Sequence, residues 1–130
     1  MATITVDLPA INEAFGKDSV EAIIEALAGK DDEFSKQVLK FLSKKSPLSM
    51  KISFEQLRLG KSLGFDECMK MEFRMAQACM NGHEFYEGVR SVLVDKDHSP
   101  VWKPQTIEEV DENMVADHFK NLGDAELQFV

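Results

Sequence analysis

The spacing of helix breakers constrains this chain more than any other feature. From Ser46-Pro47 to Gly60, and again from Gly64 to Gly82, no glycine or proline interrupts the sequence. Ser46-Pro47 is a strong start signal. A serine hydroxyl accepts amide hydrogens at the N-cap, and proline at the first helical position gives up no needed donor. The helix reads Leu48, Ile52, Leu57 and Leu59 and stops at Gly60. The longest segment, residues 65–80, follows and is ended by Gly82. Its apolar stripe holds Phe65, Cys68, Met69, Met75, Ala76 and Cys79.

The same grammar extends in both directions. Asp18 or Ser19 caps a helix whose stripe is Val20, Ile23, Ile24 and Leu27, with Gly29 as a left-handed terminator. Asp31 and Asp32 open the next, which carries Phe34, Val38, Leu39, Phe41 and Leu42. Lys44 and Lys45 close it, where cations suit the helix dipole. A shorter helix is predicted over 84–93, interrupted at Gly88. Residues 95–105 form a loop, because the helix ladder cannot run through Pro100 and Pro104. Thr106 to Glu109 has the form of a capping box, and a last helix is predicted over 111–122, stopped by Gly123. Only three threonines and one tyrosine occur, so a β-rich composition is absent. The expected fold class is all-α, with about six to seven amphipathic helices in a single domain, 1–130.

Leu, Ile, Val and Phe supply 36 of 130 residues, above the roughly 20% below which chains tend to disorder. The net charge of −8 argues against nucleic acid and anionic membrane as partners, since both are bound through basic patches. No run of eighteen apolar residues exists to span a bilayer. Residues 1–6 lack the basic and apolar regions of a signal peptide and the arginine and serine of a transit peptide, so no leader is expected there.

Cys68 and Cys79 fall within one predicted helix. Eleven residues at about 1.5 Å each separate them by roughly 16 Å, and a disulfide needs Cα atoms within about 7 Å. They read as free, buried filler thiols of a reducing compartment, without the basic neighbours of a reactive thiolate.

Motifs that would carry chemistry fail one by one. Asp95-Lys96-Asp97 begins like a calcium loop, but the sixth and twelfth positions are Pro100 and Thr106 instead of glycine and glutamate. His83, His98 and His118 have no His or Cys at i+3 or i+4, so they read as surface histidines and no metal site is expected. Neither a phosphate-binding glycine loop nor a nucleophile elbow is present. Pairs such as Glu108-Glu109 are helix-start charges. Trp102, the sole tryptophan, stands in the proline-flanked loop as an anchor to the core or a ligand contact. The methionines at 50, 69, 71, 75 and 80 have core spacing, although Met-rich faces also bind partners.

One long run changes the picture. SPLSMKISFEQLRLG, followed by MKMEFRMAQACMNGHEFYEGVRSVLVDKDHSPVWKP, closely resembles the carboxy-terminal part of the 3-hydroxyisobutyryl-CoA hydrolases. These are thioesterases of valine breakdown in the crotonase (enoyl-CoA hydratase/isomerase) superfamily. INEAFGKDSVEAIIEALAG resembles the family segment leading into it. The resemblance covers 9–104, and the tail 105–130 fits more loosely. It implies chemistry that this chain does not hold. In the superfamily a spiral core supplies two backbone amides that stabilise the thioester oxyanion, and carboxylates for acid–base work. No catalytic residue of the family falls on a position here.

The resemblance further implies a helical end piece that packs on the missing amino-terminal core, covers the acyl pocket and builds subunit contacts in a possible homo-oligomer. No cofactor is implied, because the acyl-CoA substrate brings its own CoA. The implied location is the mitochondrial matrix in a eukaryote, or otherwise the cytoplasm. Lys96 stands where a family lysine meets CoA phosphate, with one extra residue between Arg90 and Lys96 relative to the commoner superfamily phrase. A solvated Lys96 is the alternative. For the whole chain, two other readings stand beside the enzyme segment: a helical interaction module, and a crotonase relative with a purely structural role. Gly88, a glycine inside a helix, suggests close packing at that point.

Overall fold

A computed structural model describes residues 4–130, with side chains from residue 8 onward. The stretch 1–6, weighed above as a leader, thus has no described side chains. Among the described residues there are seven α-helices and no strand: α1 Ile4–Phe15, α2 Val20–Ala28, α3 Glu33–Leu42, α4 Pro47–Gly60, α5 Phe65–Asn81, α6 Glu84–Val89 and α7 Glu112–Ala116. The all-α expectation holds. The chain divides into two compact units, one ending at Lys45 and one beginning at Ser46.

In the first unit α1 packs on α2 and α2 on α3. Ala14, Val20, Ile23 and Leu27 are sealed from solvent, Leu27 completely (0% exposed). Ser19 is the cap of α2, its hydroxyl accepting from the Ala22 amide at 3.1 Å. Asp32 caps α3 through the Ser35 amide at 2.8 Å and also accepts from the buried Ser35 hydroxyl at 2.9 Å. Three features depart from expectation. α1 was not anticipated, because Pro9 lies inside it and proline removes one ladder bond. Gly29 is right-handed (φ −74°), because the turn continues through the Lys30 amide to the Leu27 carbonyl and needs no left-handed residue. Phe41, placed on the apolar stripe, is exposed, and the Lys45 ammonium lies 4.1 Å from its ring centre. Gly16 is obligatory: a Cβ there would sit 2.6 Å from the Asn12 carbonyl oxygen.

In the second unit α4 packs on α7 and α5 on α6. Ser46 caps α4, accepting from the Ser49 amide at 3.1 Å, with Pro47 at the helix start. Ile52, Met71 and Val110 are buried. The stripe predicted for α5 holds in part: Cys68, Met69, Met75 and Cys79 are half-buried, but Phe65 is 75% exposed and the sealed position is Met71. The Met71 terminal methyl lies beside Gly60 at the end of α4, 3.8 Å from where a Cβ would stand, an ordinary contact. Cys68 and Cys79 are free and half-buried, not fully buried. Burial raises the Cys79 thiol pKa above its ordinary value.

The end of the chain differs most from the sequence reading. No helix begins at Thr106. Glu109 accepts from the Gln105 amide at 3.0 Å, and Lys51 donates to the Val110 carbonyl at 3.0 Å, so that carbonyl is not serving a helix ladder. The last helix is only Glu112–Ala116, with Asp111 as its cap. It then tightens into i to i+3 bonds at His118 and Phe119. Beyond it, Glu126 accepts from the Leu122 amide and pairs with Arg74 of α5, which turns the chain back. Gly123, expected to stop a helix, opens a short 3-10 turn with φ +60°.

Candidate functional site

The densest polar construction lies at the end of α6, within the second unit. The helix predicted to break at Gly88 runs through it. At Arg90 it widens into a π-helical turn, Arg90–Val94, closed by the Asp95 amide donating to the Arg90 carbonyl at 2.8 Å. π turns often accompany functional sites. Gly88 is also less crowded than expected. A Cβ there would meet the Trp102 ring at 3.6 Å, an ordinary contact, so the position has room for a methyl group.

Arg90 is the hub of the following loop. Its Nε and Nη2 form a fork on Glu87, at 2.9 and 2.7 Å, and Nη1 donates to both Asp95 and Asp97 at 2.7 Å. Nη2 also reaches the Ser99 carbonyl at 3.3 Å. Charge-assisted forks of this kind fix geometry as well as adding energy. Glu87, which is buried, accepts further from the Val101 amide at 2.7 Å. The Arg90 fork first, and then that amide, hold the Glu87 carboxyl at about 2, against an ordinary 4.5. Arg90 itself is held yet more firmly protonated by Glu87, Asp97 and Asp95. Asp97 is held below the usual carboxylate range by Arg90 and by the Ser99 amide.

A second set of bonds fastens the far end of the loop. Glu84 accepts from the Ser46 hydroxyl and, at 2.8 Å, from the Lys103 amide. His83 Nε2 donates to the Val101 carbonyl at 2.9 Å. The loop is therefore pinned at Asp95, Asp97, Ser99, Val101 and Lys103 by side chains of α6 and its extension.

Lys96 is exposed on this loop, in the left-handed region with φ 56°, and so is His98, with φ 52°. Lys96 makes no ion pair among the described residues. Trp102, half-buried, sits with its ring edge beside Gly88. Trp102 stands against Gly88, whereas Lys96 is exposed to solvent. The aspartates that resemble a calcium loop are both engaged by Arg90. Among the described residues no group of three acidic, His or Cys side chains could hold a metal ion, and no helix is long and apolar enough to cross a membrane. Reading the sequence for motifs missed the hub. Its signal was Arg90 preceded by an acid at −3 and followed by acids at +5 and +7.

The helical arrangement is that of the helical region of crotonase-fold enzymes. It matches an enoyl-CoA hydratase from Rhodobacter sphaeroides with a TM-score of 0.90 and 31% identity, over 99% of this chain and 38% of that one. A carnitinyl-CoA dehydratase from Mycobacterium thermoresistibile matches with a TM-score of 0.91 and 28% identity, over 99% and 37%. The chain belongs to the enoyl-CoA hydratase/isomerase family, whose sequence model matches residues 2–119. The mitochondrial 3-hydroxyisobutyryl-CoA hydrolase of Homo sapiens is 48% identical over 119 residues, covering 92% of this chain and 31% of that protein. The Xenopus laevis hydrolase is 47% identical over 118 residues, covering 91% and 31%. The chain thus spans under a third of the length of these relatives.

Proposed function

We propose that this chain is the carboxy-terminal helical part of a 3-hydroxyisobutyryl-CoA hydrolase, a thioesterase that releases 3-hydroxyisobutyrate and free CoA in valine breakdown. The observation that carries the reading is 48% identity across 119 residues to a hydrolase of that name. The groups that attack the thioester are assigned to a core that precedes these residues in the full protein. The helical part covers the acyl pocket, docks on that core and takes part in subunit contacts. Lys96 faces the CoA portion of the substrate, and Trp102 anchors the loop that carries it. No cofactor takes part. The setting is the mitochondrial matrix in a eukaryote.

Exposed apolar side chains support a docked role. Val92, Leu93 and Val94 on the π turn, and Phe85 on α6, are all about half exposed or more. Apolar surface of this kind marks contacts with other protein.

The test is replacement. The corresponding third of the human hydrolase is exchanged for this chain, and thiol release from 3-hydroxyisobutyryl-CoA is followed. Retention of turnover within about tenfold, or 1.4 kcal/mol in the barrier, is the expected result. A monodisperse chimera that binds CoA but does not turn over the substrate defeats the proposal. The isolated chain is expected to be inert, and hydrolysis by it alone would place catalytic groups within these residues.

A further inference from the structure

Asp95-Lys96-Asp97 ought to be a poor place to receive an anion, because two carboxylates flank one ammonium. The structure answers this with a single side chain. Arg90 Nη1 donates to both aspartates at 2.7 Å, while its Nε and Nη2 are committed to Glu87. The residues between and beyond the aspartates, Lys96 and His98, are the two described non-glycine residues with positive φ, and both are exposed. The alternation is regular: acid bound to Arg90, left-handed residue outward, acid bound to Arg90, left-handed residue outward. Left-handed backbone at non-glycine residues persists only where the surroundings dictate it. Here the dictating bonds are those of Arg90, the His98 amide to the Ser91 carbonyl at 3.0 Å, and the Ser99 amide to Asp97 at 2.8 Å.

We propose that Arg90 is a positioning residue. By engaging Asp95 and Asp97 together, it draws both carboxylates away from the exposed Lys96 ammonium, so that Lys96 is free to meet the phosphate groups of a CoA substrate. The inference rests on the reading above that Lys96 faces CoA. It adds that the contact depends on a guanidinium that never touches the ligand. Lysine in place of Arg90 would supply a point charge without the fork that reaches three carboxylates at once.

The experiment uses the full-length hydrolase that carries this chain. Free coenzyme A is titrated calorimetrically, and KM and kcat are measured with 3-hydroxyisobutyryl-CoA. The variants are Lys96→Ala, Arg90→Gln, and Asp95→Asn with Asp97→Asn, both alone and combined with Arg90→Gln. In Arg90→Gln the Kd for coenzyme A and the KM rise about tenfold, the scale of unscreening carboxylate charge near a phosphate, with the change falling in KM and not in kcat. Neutralising the two aspartates restores most of that loss. Beside an intact Arg90 the same two neutralisations change affinity little, because both carboxylates are already engaged there; an equal gain in both backgrounds overturns the proposal. Unaltered affinity in Arg90→Gln, or a triple variant as weak as the single one, overturns the role of Arg90 while Lys96→Ala still weakens binding. Wild-type affinity in Lys96→Ala removes instead the reading on which the inference rests. Should Arg90→Gln not fold, Arg90→Lys, which keeps the charge and loses the fork, is expected to bind coenzyme A with intermediate affinity, and wild-type affinity there also overturns the proposal.

Discussion

In the unit that ends at Lys45, the sealed positions among the described residues are Ala14, Val20, Ile23 and Leu27, with Ser35 as the polar member. In the unit that begins at Ser46, Ile52, Met71 and Val110 share the interior with Ser46, Glu87 and Ser91. The first is ordered by apolar burial, which is strong but has no direction and suits straight helices at periodic spacing. The second must also order residues 95–111, which have no helix and no period. It does so with directed bonds from buried or half-buried polar groups, chiefly Glu84, Glu87 and Arg90. A loop can be as determinate as a helix when side chains supply the partners that its amides lack.

The largest expected effect tests the apolar side. Leu27→Ala removes a completely buried side chain and should cost about 2–5 kcal/mol, read as lost hydrogen-exchange protection of the amides of α2. Gly16→Ala follows. The Cβ at 2.6 Å from a backbone carbonyl forces a shift costing about 1–3 kcal/mol, seen in the same amides. A loss below about 0.5 kcal/mol in either variant would mean that this unit is not held by close packing.

The polar side is broken with acid. The Glu87 carboxyl is held at about 2 in the folded chain, against an ordinary 4.5. A lowered carboxylate contributes stability that is complete above its ordinary value and fades as pH falls toward its folded value. The loop should therefore loosen between about pH 4.5 and pH 2, and Trp102, the sole tryptophan, reports it by fluorescence. In Arg90→Gln the main cause of the shift is gone, so the transition should move up toward the ordinary carboxylate range. Glu13 and Asp32 of the first unit are also lowered, by Lys30 and by Ser35 respectively. Both are exposed, where solvent screening leaves such interactions small. An acid transition at the same pH in the variant and the parent would mean that Arg90 does not hold Glu87 ionised.

The smallest effect has the opposite sign. Gly88→Ala places a methyl group 3.6 Å from Trp102 and removes the helix penalty of glycine, so it should stabilise by up to about 1 kcal/mol in thermal unfolding. Gly16 and Gly88 are indistinguishable as letters; only the distance to the nearest atom separates a required glycine from a replaceable one.

Local signals were legible. Ser46 reads as a cap from sequence and is one; of Asp18 or Ser19 the cap is Ser19, and of the opening pair Asp31 and Asp32 it is Asp32. The boundaries of α4 and α5 followed from Gly60, Gly64 and Gly82. What escaped depends on partners beyond one helical turn. α1 tolerates Pro9, and the sealed position of α5 is Met71, whose terminal methyl lies beside Gly60 of α4. The predicted final helix yields to Lys51 on the Val110 carbonyl and Arg74 on Glu126, which come from α4 and α5. For the site, Lys96 and Trp102 were named, but Arg90 was not, because an ion cluster spanning residues 87 to 97 becomes visible only when a π turn folds them onto one guanidinium.

In that π turn, the i to i+5 bond from Arg90 to Asp95 holds one residue more than an α turn would. Asp95 and Asp97 thereby come back to the guanidinium at the start of the same turn. The wider turn gives the helix end a second use, as the frame on which the following loop is hung.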